Sequence, residues 1–366
     1  MQETNMLAIA REFALKGEPT TAKPLGNGLI NETFKVETAG DAPDYVLQCI
    51  NEAIFTDVDL LQNNIQAVTD HVREKLRQRG EGDISRKALQ FAQAKDGGKT
   101  YVRDTEGKPW RMSEFIPGAE TFDTVSPKYS KEAGAAFGDF EKMLSDIPVQ
   151  LGETIPDFHN MELRLRQLRE AAAQDKAGRL GTCREETELL LNGGEAMCLA
   201  ERLHREGLLP KRACHCDTKV NNMMFDSTTG KFLLVIDLDT VMPSYVFSDY
   251  GDFLRTAANE APEDEPDLSK VRYREDIFEA FTEGYLSTAA EFLTKTEVDN
   301  LPYAAQLFPF MQACRFLADW LNGDTYYKIT RPEHNLDRTR NQIQLYKLAA
   351  EREEWMRTLV GKLSRQ

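Results

Sequence analysis

Apolar residues follow two different patterns along this chain. From residue 17 to about residue 120 they come in short runs that alternate with polar positions and are broken by Gly, Asn and Asp. PTTAKPLG (19–26) leads into a Gly-containing turn, and INETFKVET (30–38), DYVLQCI (44–50), KALQFAQA (87–94), KTYVRD (99–104) and PWRMSEFI (109–116) then read as strands. One long interruption, DVDLLQNNIQAVTDHVREKLRQ (57–78), places Leu61, Ile65, Val68, Val72 and Leu76 at helical spacing. The pattern predicts an antiparallel sheet with one inserted helix. Met6, Leu7, Ile9, Phe13, Ala14 and Leu15 give the N-terminal segment an amphipathic helical face.

Past IPGAE (116–120) helical spacing takes over: 128–146, 163–174, 186–207, most of 271–321, and 335–363. Only NMMFD (222–226) and KFLLVIDLD (231–239) interrupt it, as two strands around an STTG turn. The expected architecture is α+β, with a small sheet domain (1–117), a hinge at Pro117-Gly118, and a larger helical domain (118–366) carrying one β-hairpin. The 366 residues suffice for two ordinary cores.

Charge and cysteine usage narrow the classes of partner. The net charge is −15, which repels phosphate backbones and anionic lipid, so neither nucleic acid nor membrane is expected as a partner. The acidic run EAPEDEPD (260–267) reads as a solvated loop. No apolar run reaches the roughly 20 residues of a membrane span, and the N-terminus lacks a signal-peptide pattern. Six scattered cysteines form no disulfide framework, which fits reduced thiols in a cytoplasmic protein, monomeric or homodimeric.

The chemistry concentrates in HCDTKVNN (215–222). A zinc site would need a second Cys/His pair at proper spacing, which the chain lacks. A nucleophilic Cys216 would need a base and an oxyanion site, and nothing nearby supplies them. The form H-x-D-x-x-x-x-N, filled by His215, Asp217 and Asn222, is that of a phosphotransferase catalytic loop. There the aspartate faces an incoming hydroxyl, the asparagine turns back to a phosphate-bound metal, and Lys219 can offset charge on the phosphoryl group. Asp237, after the apolar run Leu233–Ile236, is placed as a second metal ligand. Gly26 and Gly28, in GNGLINETF, let backbone amides approach phosphates, as a flap rather than a Walker loop.

These residues resemble the kinase-like phosphotransferases that include aminoglycoside phosphotransferases, choline kinase and homoserine kinase. YVLQCINEAIF, FIPGAETFD, EAGAAFGDF, VIDLDTVMPS, DYGDFLR and RFLADWLNGDTYYK are similar to the bacterial N-acetylhexosamine 1-kinase group, over about residues 20–350. The resemblance implies a protein-kinase-like bilobal fold and ATP-dependent phosphorylation of GlcNAc or GalNAc at the anomeric hydroxyl. It implies Asp217 as base with Lys219 beside it, and Mg2+ on Asn222 and Asp237. ATP would be held by Gly26, Asn27, Gly28, Asn31, Thr33, Gln48 and the hinge backbone from Ser113 through Glu114 to Ile116. Gln48 departs from the wider superfamily, where the third strand carries a lysine.

For the sugar, the resemblance favours Arg315 and Tyr326. Asp319 could also bind hydroxyls and Trp320 could stack on the ring; against this stand core packing for Trp320 and an i to i+4 ion pair of Arg315 with Asp319. His159 and His334 could contact the sugar but read first as caps or satisfied turn residues, and Asp249 reads as an N-cap bracing the catalytic loop, with Arg255 in a similar role. Other acceptors (an aminoglycoside, choline, homoserine, another sugar) and a non-catalytic ATP-binding pseudokinase are the alternatives.

Overall fold

A computed structural model of the chain describes residues 2–26, 31–122 and 125–365. The flap positions Asn27 and Gly28 lie outside the described residues. The chain opens with helix α1 (Gln2–Ala10) and strands β1 (Pro19–Pro24), β2 (Glu32–Thr38) and β3 (Tyr45–Cys49). Helix α2 (Val58–Gln78) follows, then β4 (Tyr101–Arg103), β5 (Pro109–Glu114) and β6 (Ala119–Glu120). Next come α3 (Pro127–Leu144), α4 (Met161–Gln174), α5 (Arg184–Met197), α6 (Leu199–Arg205) and strands β7 (Arg212–Cys214), β8 (Met223–Asp226), β9 (Phe232–Val235) and β10 (Met242–Ser244). The remainder is helical: α7 (Phe247–Ala257), α8 (Glu275–Ala289), α9 (Lys295–Asp299), α10 (Leu301–Asn322), α11 (His334–Ala350) and α12 (Glu353–Leu363).

The fold is α+β, as expected, and its contacts define two compact units. The first is Met1–Thr121 together with Asp146–Pro156 and Met223–Met242; the second is Phe122–Ser145, Asp157–Asn222 and Pro243–Gln366. Where a single cut at 117/118 was expected, the first unit extends to Thr121 and takes back two later segments, one of them the β8–β9 hairpin.

In the first unit β1–β5 form one antiparallel sheet in the order β1-β2-β3-β5-β4. Alternation puts Phe34, Val36, Tyr45, Leu47, Trp110 and Met112 on one face, where Met6, Ile9, Ala10 and Phe13 cover them. The inserted helix α2 starts where the Asp57 carboxylate accepts the Leu60 amide, and it buries Leu61, Ile65, Val68, Val72 and Leu76. Residues 87–94 are not the strand their alternation suggests. The Ala92 amide donates to Met112, the Ala94 amide to Lys99, and the Gln93 carbonyl accepts from Ala14, so bonds divided among three partners leave no ladder.

In the second unit α10 buries nearly all its residues and packs against α4, α7 and α11. Helices α3 and α8 meet backbone to backbone. A Cβ added at Gly134 would lie 2.1 Å from the Phe281 carbonyl oxygen, and one at Gly284 would lie 1.9 Å from that of Lys131. Only glycine permits this approach.

That helix pair holds the support of the catalytic loop. Asp249, fully buried in α7, accepts the amides of His215 and Cys216, each at 2.7 Å, and its carbonyl accepts the Thr218 hydroxyl at 2.7 Å. Asp249 is the third residue of its helix rather than an N-cap, because the helix already begins at Phe247; its carboxylate braces the loop and not its own helix. Beneath it Glu141 of α3 accepts the Tyr285 hydroxyl at 2.5 Å through Oε2, and its carboxyl also lies within hydrogen-bonding reach of Asp249. Oxygens of Glu141 and Asp249 and the Cys214 sulfur lie within 4.8 Å of one another. Burial, reinforced by the Asp249 charge, pushes Glu141 well above the usual carboxylate range. Glu141 is therefore a neutral acid. Burial likewise pushes the Cys214 and Cys216 thiols well up, so neither is a thiolate at neutral pH.

No helix among the described residues is long and apolar enough to cross a membrane. Two predictions follow from the helix pair. Gly284→Ala must separate α3 from α8, and thermal denaturation should show a loss of about 1–3 kcal/mol; an unchanged midpoint would contradict the close approach. Glu141→Gln should flatten the pH dependence of stability. The folded state keeps a proton on Glu141 that the unfolded state loses near 4.5, so wild-type stability falls as pH rises above that value, by up to about 1.4 kcal/mol per pH unit until Glu141 ionises in the fold. The groups facing Glu141 are Asp249, Cys214, Tyr285, Glu297 and Arg212. Melting curves from pH 5 to 8.5 should show the variant gaining on wild type as pH increases; a constant gap would mean that Glu141 is ionised throughout.

Candidate active site

The loop after β7 is shaped by fixed contacts. His215 is fully buried, with the rings of Phe137 and Phe140 edge-on at 5.7 and 6.1 Å. Cys216 takes a left-handed backbone (φ 63°), stabilised by the Asp249 brace on its amide. A 3-10 turn at Val220–Asn222 brings the asparagine back to the aspartate. Asn222 Nδ2 donates to the Asp217 carbonyl at 2.8 Å and to Asp217 Oδ2 at 3.3 Å, and Lys219 Nζ lies 2.8 Å from the same Oδ2. Two donors thus hold one carboxylate oxygen of Asp217. The other, Oδ1, has no hydrogen-bond partner among the described residues.

Asp217 lines a cavity within the second unit together with His159, Asp252, Arg255, Gln312 and Arg315. Phe308, Met311, Gln312 and Arg315 present one face of α10 to it, at spacings of three and four. Arg315 donates to Gln312 Oε1 at 3.1 Å, and its guanidinium lies 5.5 Å from the Phe158 ring and 6.0 Å from the Tyr326 ring. Arg255 pairs with Asp252 (3.3 Å) and Glu263 (2.9 Å). His159 stacks on Phe158 at 4.3 Å and meets Phe308 edge-on at 4.8 Å. Its Nδ1 is buried without a partner, so it is not the satisfied turn residue expected of it. Burial, then the charge of Arg315, holds His159 well below the usual imidazole range, so the ring is neutral. His334 does match that expectation: Nδ1 receives the Thr330 amide and Nε2 faces Asp264 at 3.0 Å.

Arg315 and Tyr326 come together; Asp319 has a different surrounding. Its carboxylate receives the amides of Thr325, Tyr326 and Tyr327 and the Asn335 side chain, all within 3.0 Å, and it makes no pair with Arg315. It shapes the loop that carries Tyr326, which is itself 67% exposed. Trp320 is buried, with the Arg179 guanidinium 3.9 Å from its ring, which leaves it in the core rather than available for stacking.

The first unit gathers Asn31, Thr33 and Gln48. Gln48 Nε2 donates to Thr33 Oγ1 at 3.2 Å, and Gln48 Oε1 receives Arg111 Nε at 3.0 Å. Arg111 also forms a buried ion pair with Asp239, whose Oδ2 accepts Asn31 Nδ2 at 2.7 Å. Asp237 starts the turn Leu238–Thr240 in a left-handed conformation (φ 60°). That turn is held by Thr154 Oγ1 on the Asp239 carbonyl at 2.9 Å and by Asn64 Nδ2 on the Val241 carbonyl at 3.0 Å. Gly26 has φ +70° and open space where a Cβ would be. At the end of β5 the amides of Glu114 and Phe115 already donate to Gln90 and Asp44, and the Glu114 side chain pairs with Lys16 at 2.6 Å. Ile116 is buried just beyond. The donors offered by Asn222, whose Oδ1 accepts no hydrogen bond among the described residues, and by Asp237 are hard oxygens of the kind magnesium takes.

Sequence reading missed Asp252, Gln312, Arg111 and Asp239 as members of these clusters. Asp252 and Gln312 had a usable signal, helical spacing of three from Asp249 and Arg315. Arg111 had none short of the strand register that sets it opposite Gln48.

Solved structures share this fold. An aminoglycoside phosphotransferase from Alicyclobacillus acidocaldarius is 13% identical with a TM-score of 0.60, over 98% of this chain and 96% of that one. The spectinomycin phosphotransferase APH(9)-Ia, in complex with ADP and spectinomycin, is 12% identical with a TM-score of 0.57, over 96% and 98%. Choline kinase from Cryptosporidium parvum is 13% identical with a TM-score of 0.54, over 94% and 93%. Residues 21–290 match the APH model, described as the phosphotransferase enzyme family. A match over most of the chain, with an aspartate-and-asparagine loop at its centre, means that this protein belongs to the APH phosphotransferase enzyme family.

Proposed function

We propose that this phosphotransferase moves the γ-phosphoryl group of ATP to the anomeric hydroxyl of a free N-acetylhexosamine, GlcNAc or GalNAc, giving an α-hexosamine 1-phosphate. The observation that carries the reading is the one unshared oxygen of Asp217 in a cavity whose charges cancel. Asp217 and Asp252 are matched there by Arg255 and Arg315, and His159 is neutral. Such a lining suits an uncharged polyol bearing an amide. A polycationic aminoglycoside or the trimethylammonium of choline would find no excess of negative charge in that lining, and the protein's overall charge of −15 does not alter the local balance.

In this reading Asp217 Oδ1 takes up the hydrogen of the attacking hydroxyl and aims its oxygen at the γ-phosphorus, while Lys219 and Asn222 fix the carboxylate through Oδ2. Arg315 binds the acetamido carbonyl or a ring hydroxyl, Tyr326 covers it, and the neutral His159 ring forms part of the wall. On the nucleotide side Gly26, Asn31, Thr33 and Gln48 lie under the triphosphate, and the backbone from Glu114 to Ile116 meets adenine. Asn222 and Asp237 offer the oxygens that would hold Mg2+, and the ion would supply charge compensation for the β- and γ-phosphates.

Asp217→Asn should reduce kcat by about 10²–10⁴-fold with ATP affinity retained, as read by calorimetry beside turnover. Wild-type turnover surviving in the variant would remove Asp217 as the base. Arg315→Ala should raise KM for the sugar by about 10–100-fold with a smaller change in kcat; an unchanged KM would place the acetamido contact elsewhere. Wild-type protein given ATP and a panel of GlcNAc, GalNAc, kanamycin, choline and homoserine should form an acid-labile ester with the N-acetylhexosamines alone. Phosphorylation of kanamycin or choline in their place would overturn the acceptor assignment, and nucleotide binding without turnover on any hydroxyl would favour a pseudokinase.

A further inference from the structure

Gln48 raises a question of charge. Protein kinases set a lysine on the third strand beside the nucleotide phosphates, and a glutamine there provides none. The sheet register answers it. Gln48 of β3 is paired directly with Arg111 of β5. The two side chains lie on the same face, and Arg111 Nε donates to Gln48 Oε1 at 3.0 Å. We propose that Arg111 is the relocated cation of the nucleotide side, moved one strand over, and that through Asp239 it positions the turn bearing Asp237. The inference rests on the nucleotide part of the reading above and does not depend on the acceptor.

The network is closed at both ends. Gln48 uses its carbonyl for Arg111 and its amide for Thr33 Oγ1 at the base of the flap. Arg111 uses a second nitrogen for Asp239, and Asp239 passes the connection to Asn31, whose Oδ1 in turn receives the Asn51 amide at 3.1 Å. Both partners of the ion pair are buried, at 3% and 4% side-chain exposure. A buried guanidinium and carboxylate are costly unless paired and hydrogen-bonded; here Arg111 donates from two nitrogens, to Gln48 and Asp239, and Asp239 also accepts from Asn31. The identity at position 48 is then determined by position 111. A lysine at 48 would put a second cation opposite the guanidinium and would remove the acceptor for Nε. Since Arg111 is shielded and its charge is balanced by Asp239, it is a positioning residue: it acts on the nucleotide side by fixing Asp239, hence the turn from Asp237 to Val241.

The test is an exchange of the two residues. Gln48→Lys, Arg111→Gln, Arg111→Lys and the double variant Gln48→Lys/Arg111→Gln are compared by calorimetric ATP binding without added metal, by melting temperature of the unliganded protein, and by kcat. Arg111→Gln should weaken ATP binding at least tenfold and lower kcat about 100-fold. Gln48→Lys alone should lower the melting temperature. The double variant restores one cation to this rung of the sheet, and it should recover at least tenfold of the lost ATP affinity and part of kcat. Arg111→Lys, which keeps charge without the second contact, should fall between wild type and Arg111→Gln in affinity. Wild-type ATP affinity in Arg111→Gln, or a double variant no better than that single one, overturns the inference. Wild-type protein that binds no ATP would overturn the inference and the functional reading together, whereas wild-type binding with no rescue overturns the inference alone.

Discussion

A buried carboxylate accepting two consecutive backbone amides is the constraint on which the catalytic loop depends. Residues 215–222 have little regular hydrogen bonding of their own, and Cys216 takes a backbone angle that non-glycine residues seldom adopt. Asp249 compensates for both, since His215 and Cys216 present their amides to its two oxygens. Remove that carboxylate and two amides are buried unpaired, Thr218 loses its anchor geometry, and Asp217 has no fixed direction. Glu141 sets the electrostatic condition for this arrangement. Two ionised carboxylates so close together in the core would repel; burial raises both, Glu141 well above its usual range, while the two loop amides oppose the rise at Asp249. The close approach of α3 and α8 at Gly134 and Gly284 brings Glu141 and Tyr285 to this spot.

The first unit solves a similar problem with an ion pair. The turn Leu238–Thr240 is short and begins with a left-handed aspartate, so outside contacts must shape it. Arg111 and Asn31 hold the Asp239 side chain, and Thr154 holds its carbonyl. The segment Asp146–Pro156 belongs to this unit for a visible reason: Asn64 of α2 exchanges hydrogen bonds with the Gly152 backbone and donates to Val241, joining helix, returning segment and turn.

What could be read in the sequence follows the range of the interactions. His215, Asp217, Lys219 and Asn222 were legible because a loop that closes on itself within eight residues encodes its contacts as spacing. Helices α2, α3 and α10 were legible because burial of one face is a periodic signal. The Asp249 brace was legible in purpose and not in geometry: an aspartate before YGDFLR suggests a cap, yet its oxygens reach back more than thirty residues. KALQFAQA alternates like a strand, but alternation reports side-chain burial and says nothing about where the backbone bonds go. The pairing of Gln48 with Arg111, sixty-three residues apart, depends on strand order, which no local pattern contains. His159 and His334 illustrate the same limit. His334, at the start of α11, finds two partners, and His159 leaves a buried nitrogen without one.

The two clusters share an electrostatic design that bears on phosphoryl transfer. Nearly every charged group is already paired inside its own unit: Asp217 with Lys219, Asp252 with Arg255, Asp239 with Arg111. Paired charges stay ionised under burial and need not reorganise when a reaction begins, which is the condition under which fixed dipoles stabilise a transition state most effectively. The exceptions are then informative. Among the described residues, Oδ1 of Asp217 and Oδ1 of Asn222 accept no hydrogen bond, and Nδ1 of His159 is buried without a partner.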